Sequence, residues 1–286
     1  MSVAGAPSDA APTSTRLGQP RLHLRRTAST NERARELAIA GAPHGTLVTA
    51  SEQTAGRGRQ GRRWSAPPGS SVLMSLLLRW PISDRSPELL PLMAAVAVCD
   101  AAGEQALIKW PNDVVTAMDD GAAMDDGADD NDLLPAGERS TPLAKLAGIL
   151  VEARPQQRWA VLGIGLNVAV RLEELPAALR PGGKQIAGEG SGLPAATLGL
   201  ATSEVEPTLA RLLGALERRL AGDATTTLEA WRARDALRGR EIVWSGGSGR
   251  ANGIDGTGRL VVSLAGGGST TLGSGEVHLL EIGERR

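Results

Sequence analysis

Four arginines and three glycines share the nine-residue run Gly56-Arg57-Gly58-Arg59-Gln60-Gly61-Arg62-Arg63-Trp64. Glycine lets a backbone approach a ligand closely, and a guanidinium fork pairs with phosphate or carboxylate through two parallel hydrogen bonds. The run therefore predicts a loop that clamps an anion. A second pattern, Lys109-Trp110-Pro111-Asn112-Asp113, joins a cation, a rigid turn and a carboxylate. There Lys109 can meet phosphate oxygens and Asp113 can hold Mg²⁺, although a strand end followed by an Asn-Asp turn uses the same residues. A third, Lys145-Leu146-Ala147-Gly148-Ile149-Leu150, sets a lysine against an apolar strand, where the alternative is a side chain snorkelling at a strand edge. In Gly163-Ile164-Gly165-Leu166-Asn167, glycines interrupt a strand-like run, which is costly unless something must approach the backbone or the strand bulges. The Asn167 amide, a donor and an acceptor together, suits an adenine edge.

Lysine is scarce: Lys109, Lys145 and Lys184 are three among 31 basic residues, so a retained lysine at two of these patterns points to a function. No G-x-x-x-x-G-K-[ST] loop occurs, and no G-x-G-x-x-G follows a first strand, so any nucleotide is bound in another way. The arginine run on its own also fits an RGG-like RNA contact, but no further basic stripe accompanies it.

The elements that must position these residues alternate between helical and strand-like. Residues 1–20, rich in Ala, Pro, Ser and Thr, read as a disordered tail. Ser29 and Glu32 fit a capping box opening a helix that stops at Gly41. LVTASEQ and SVLMSLLLRW read as strands, with a helix from Pro91 to Ala102 ended by Gly103, then the short strand ALIKW. Residues 118–143 crowd aspartates into a Gly/Ala-rich run without apolar period, predicting a flexible insertion. The spacing of a calcium loop is missing from it. LAGILVEA and WAVLGIGLNVAV look like two strands, plausibly neighbours. Helices are expected over Thr208 to Ala221 and Thr226 to Leu237, the latter opened by Thr226 and Glu229. After Arg238 short β runs, REIVW, GRLVVSL and EVHLLEI, suggest a small barrel and a boundary near Leu237.

The 286 residues carry a formal net charge of -1, so no global field would hold DNA, RNA or an anionic membrane. No stretch approaches the length of a membrane span and no apolar leader opens the chain, which reads as cytoplasmic. Cys99, the single cysteine, excludes an intramolecular disulfide and any multi-cysteine zinc site. Six tryptophans accompany no Phe and no Tyr.

Taken in order, Ser29-Thr30-Asn31, Gln53 with GRGRQGRRW, IKWPND, KLAGILVE and GIGLN resemble the biotin protein ligase family, over nearly everything from Leu22 onward. The resemblance implies an α+β fold: a catalytic domain over 21–237, built on a mixed β-sheet with helices on one side, and an SH3-like barrel over 238–286. It implies an enzyme of the monofunctional type, without a DNA-binding domain, that forms biotinyl-5'-AMP from biotin and ATP with Mg²⁺. Biotin then moves to a lysine of the biotin carboxyl carrier domain of a biotin-dependent carboxylase. Neither DNA nor membrane is an expected partner, and the state is monomer or homodimer. By the same likeness Ser29, Thr30, Asn31 and Gln53 touch biotin. Arg57, Gly58 and Arg59 close over biotin and the adenylate phosphate, with Arg62 and Trp64 at the loop's end. Lys145 touches biotin and the adenylate linkage; Lys109, Asn112 and Asp113 lie on the phosphate and metal side, Asp113 as metal ligand; Asn167 lies on the adenine side. Arg59, Lys145 and Lys109 are the catalytic candidates. A lipoate-type ligase of the same fold and a non-enzymatic RNA-binding module are the alternatives. The acidic insertion falls where a short connection is expected, and Leu, Met, Val or Trp must fill positions that are usually Phe or Tyr.

Overall fold

Six of the nine residues of the run Ser71–Arg79 are apolar and fall on both alternating faces, and such a segment can be a strand only where both faces are covered. In the computed structural model, which describes residues 16–80, 87–118, 141–181, 193–273, 275 and 277–279, it is strand β3, an inner strand of a seven-stranded sheet. Numbered along the chain, the other strands are β1 (Arg21–Leu24), β2 (Leu47–Ala50), β4 (Leu107–Lys109), β5 (Asp113–Ala117), β6 (Leu143–Arg154) and β7 (Trp159–Asn167). Their spatial order is β1-β2-β3-β7-β6-β5-β4. β1 and β2 run parallel and every other described pair is antiparallel, so the sheet is mixed. The two neighbouring strands expected around GILVE and GIGLN are β6 and β7, paired from Ala147↔Leu166 to Arg154↔Trp159.

Strand alternation divides the sheet's side chains between two layers. Leu76, Leu78 and Leu162 join a large core with helices α2 (Leu90–Ala102) and α3 (Val205–Ala221). Leu77 and Val161 point the other way, to Ala34 and Ala38 of helix α1 (Thr30–Ile39). Helices therefore cover both faces, not one as the resemblance implies. Arg219 of α3 grips Asp100 of α2 with both Nε and Nη2, at 2.8 and 3.1 Å. Cys99 lies in that layer with 0% exposure, and burial pushes its thiol up to about 12, which removes it as a nucleophile.

Both expected capping boxes are replaced by other donor-acceptor pairs. Ser29 is the N-cap of α1, but its hydroxyl caps nothing; the Thr30 N–H donates to Gln53 Oε1 at 2.8 Å. Helix α4 (Ala224–Arg232) is capped by Asp223, which accepts from Thr226 N at 2.8 Å and lies before the expected start. The Thr226 hydroxyl, then its backbone N–H, hold the Asp223 carboxyl below its ordinary value. At the front of the chain, Leu17 is buried and its N–H donates to Glu217 Oε1 at 2.9 Å, so packed structure begins within the stretch expected to be a tail. Residues 1–15 lie outside the described residues, as do 119–140 of the acidic insertion. Leu143, assigned to that insertion, opens β6 with 2% exposure.

Beyond residue 237, strands β8 (Glu241–Trp244), β9 (Gly247–Ile254), β10 (Leu260–Ser263), β11 (Ser269–Leu272) and β12 (His278–Leu279) form an antiparallel sheet in the order β11-β10-β9-β8-β12. Among the described residues no helix is long and apolar enough to cross a membrane.

Candidate active site

A cavity of about 800 Å³ opens between the N-terminus of α1, the arginine run and strands β5, β6 and β7. Its wall includes every predicted site residue except Lys109.

One end is a closely bonded polar cluster. Gln53 Oε1 accepts from the Thr30 N–H at 2.8 Å and lies 3.1 Å from Thr30 Oγ1. Ser75, fully buried in β3, places its hydroxyl 2.8 Å from Thr30 Oγ1 and 2.6 Å from Asn31 Oδ1. Asn31 Nδ2 donates to Glu152 Oε2 at 2.9 Å. With both amide atoms engaged, Asn31 is held in one orientation, and only glycine fits opposite it: a Cβ on Gly163 would overlap Asn31 Oδ1. Ser29 stands apart. It is 2% exposed, lines the cavity, and its Oγ has no hydrogen-bond partner among the described residues. A buried hydroxyl left without a partner costs roughly 1–3 kcal/mol, so a polar ligand atom is the natural complement.

The arginine run folds back on itself. Arg57 pairs with Arg63 in an isolated bridge, Gly58 N donates to Arg62 O at 2.8 Å, and Trp64 N donates to Gly56 O at 3.0 Å. Gln60 occupies the left-handed region at φ 54°. The loop lies against the opposite wall through Arg59 Nη1, which donates to Asn112 Oδ1 at 2.9 Å. Asn112 is fixed in turn by Nδ2 donating to Ile149 O and by Ile149 N donating to Asn112 O, both at 3.0 Å. At the loop's end the Trp64 indole lies flat against β6 and β7. A Cβ on Gly165 would overlap the ring, and one on Gly148 would stand 3.0 Å from it. The glycines of GIGLN and KLAGIL thus make a bed for an aromatic ring and the Asn31 amide.

Lys145 Nζ sits 5.8 Å from the Trp64 ring centroid, within cation–π range, and 2.7 Å from Asp113 Oδ1. Arg57, Arg59, Arg62, Arg63 and Lys145 give the wall five cations against the one carboxylate of Asp113. Such a cleft concentrates anions. Asp113 fits Mg²⁺ that arrives on a phosphate, because that ion keeps water and phosphate ligands and takes one or two carboxylates from protein. Among the described residues no group of three or more His, Cys, Asp or Glu is gathered for a metal.

Two predicted site residues make bonds that their sequence neighbours do not reveal. Lys109 does not line the cavity; its Nζ donates to Val277 O of the C-terminal region at 2.7 Å, with 7% of the residue exposed. A cation buried there requires an acceptor, and the carbonyl supplies it. Asn167 does line the cavity, but its amide is engaged at both ends: Nδ2 donates to Ala196 O at 2.9 Å, and Ser71 Oγ donates to Oδ1 at 3.3 Å. It fixes the wall segment through Ala196 as much as it offers an edge to adenine. Ser75 and Glu152 were missed. The signal for Ser75 was a hydroxyl in the middle of the apolar run VLMSLLL; for Glu152 it was an acid closing KLAGILVE.

Comparison with known proteins gives a match over residues 23–168 to the model of the biotin/lipoate A/B protein ligase family. A biotin--[acetyl-CoA-carboxylase] ligase of Mycobacterium tuberculosis is 31% identical over 275 residues, covering 88% of this chain and 86% of that one. The bifunctional ligase/repressor BirA of Bacillus subtilis is 37% identical over 171 residues, which is 57% of this chain but only 45% of that protein's length. In fold, the chain is similar to a biotin protein ligase from Aquifex aeolicus in complex with biotin and ATP. The TM-score is 0.64 at 22% identity, over 92% of this chain and 99% of that one.

Proposed function

Because the chain belongs to the biotin/lipoate A/B protein ligase family, we propose that it is a biotin protein ligase, activating biotin with ATP and passing it to a lysine of a biotin carboxyl carrier domain. The observation that carries this reading is the cavity's two-ended chemistry: a polar cluster with an unsatisfied Ser29 hydroxyl at one end and a cation-rich wall at the other. Biotin is such a molecule, with a ureido ring that both donates and accepts and a carboxylate at the far end of its chain. Ser29 Oγ meets the ureido group, and Gln53, whose Oε1 is engaged by Thr30, offers its Nε2 donor. Thr30 and Asn31 hold the pocket's shape.

In the first step a biotin carboxylate oxygen attacks the α-phosphorus of ATP. The new O–P bond forms as the bond to the bridging oxygen breaks, and pyrophosphate leaves. Two anions must meet, and their repulsion grows as water is excluded. Arg57, Arg59, Arg62 and Lys145 offset it and stabilise the charge that develops. Asp113 would hold Mg²⁺, which neutralises phosphate charge and helps pyrophosphate depart. Gly58 lets the loop backbone come close, Trp64 and the loop shield the mixed anhydride from water, and Asn112 and Asn167 support the nucleotide side. In the second step a neutral acceptor amine attacks the acyl carbon, the C–O bond to AMP breaks, and the amine proton is lost to solvent or a base.

The polar cluster also favours a ureido head group over the apolar dithiolane of lipoate. Thermal melts test this: biotin should raise the melting temperature and lipoate should not. A Ser29→Ala chain should bind biotin about tenfold more weakly, the worth of one buried hydrogen bond. Stabilisation by lipoate alone would overturn the reading.

A further inference from the structure

We infer that the C-terminal sheet takes part in the reaction by seating the turn that carries Asn112 and Asp113, with Lys109 and Trp110 as positioning residues. This rests on the ligase reading and adds to it a role for residues that touch no substrate.

The turn between β4 and β5 has two sides. On one, Lys109 Nζ donates to Val277 O at 2.7 Å and Trp110 Nε1 donates to Gly258 O at 3.1 Å. Both acceptors are main-chain carbonyls of the C-terminal region, so the backbone there sets where the two side chains stop. Trp110 is 2% exposed and cannot shift without opening the core. On the other side, two residues later, Asn112 receives Arg59 and is doubly bonded to Ile149, and Asp113 meets Lys145. Five consecutive residues therefore span the space between the C-terminal backbone and the cation-rich wall. A chain so short cannot absorb movement at Trp110 before it reaches Asn112. The polar cluster at Ser29, Thr30 and Gln53 has no bond to the C-terminal region among those observed, so the biotin end should not feel the same change.

Trp110→Phe keeps a buried ring and removes its N–H donor; Lys109→Met keeps the stem and removes the cation. In biotin-dependent pyrophosphate exchange, either variant should lower kcat about tenfold, the effect of one mispositioned contact, with KM for biotin unchanged. Hydrogen exchange at the Ile149 amide, which donates to Asn112 O, should quicken in both variants while amides of β3 stay protected. That second readout does not depend on activity. If the unaltered chain catalyses no exchange, the ligase reading falls and the Ile149 amide alone decides the inference. An Ile149 amide that stays fully protected in both variants would overturn it, as would a Lys109→Met chain with raised KM for ATP beside an unaffected Trp110→Phe chain.

Discussion

Replacing Lys145 with methionine should slow biotinyl-adenylate formation by about a thousandfold, at the upper end of what one charge-stabilising donor contributes. Two losses combine. One of the five cations of the wall disappears, and Asp113 loses the ammonium that stands 2.7 Å from its carboxylate, which leaves extra negative charge in the cleft where two further anions must meet. The pairing makes a second outcome specific. Adding Asp113→Asn to Lys145→Met should restore part of the rate at saturating Mg²⁺, because it removes the new repulsion, so the two substitutions should be strongly non-additive. Single-turnover formation of biotinyl-5'-AMP measures the step directly. A loss below about tenfold would mean that Lys145 serves only to neutralise Asp113.

Gly165→Ala should be among the most damaging of the small substitutions. Its Cβ would overlap the Trp64 indole, and β7 cannot retreat because β3 and β6 hold it on both sides. The ring must leave its bed, and the end of the arginine loop moves with it. Overpacking of this kind costs about 1–3 kcal/mol of stability. Displacing a loop that must lie within an ångström of its productive position lowers the adenylation rate by about a hundredfold. A Trp64→Leu partner substitution should return the stability by vacating the space but not the rate, since the shield over the adenylate is then gone. Chemical denaturation and single-turnover rates on the same three chains separate the two effects. A Gly165→Ala enzyme of ordinary activity would show that Trp64 is not part of the closed site.

Much of this arrangement was legible before any coordinates. The apolar run of β3, the pairing of β6 with β7 and the gathering of the arginine run, Asn112, Asp113, Lys145 and Asn167 around one cavity follow from local patterns whose periods and glycines carry their own meaning. What was hidden depends on partners distant in sequence. Ser29 and Glu32 satisfy the local rule for a capping box, yet Gln53, 23 positions after Thr30, supplies the acceptor and leaves the serine hydroxyl for the cavity. Lys109 looks like a phosphate ligand from its neighbours, and only the approach of Val277, 168 positions away, reveals its acceptor. Strand β9 was missed because Gly247, Gly249 and Gly253 hide an alternation of burial that its apolar residues alone do not display. Helices on one side came with the resemblance and not from the residues; α1 covers the other face through the small side chains of Ala34 and Ala38.

In the proposed reaction the cation-rich wall activates a carboxylate against ATP while the polar end holds biotin. Exchange of labelled pyrophosphate into ATP, with Mg²⁺ and with or without biotin, reads the reversible first step and needs no acceptor protein. Exchange should require biotin and fall to background in an Arg59→Ala chain, where the loop loses its bond to Asn112. A folded protein that exchanges nothing and binds no biotin, or one whose exchange ignores biotin, would contradict it.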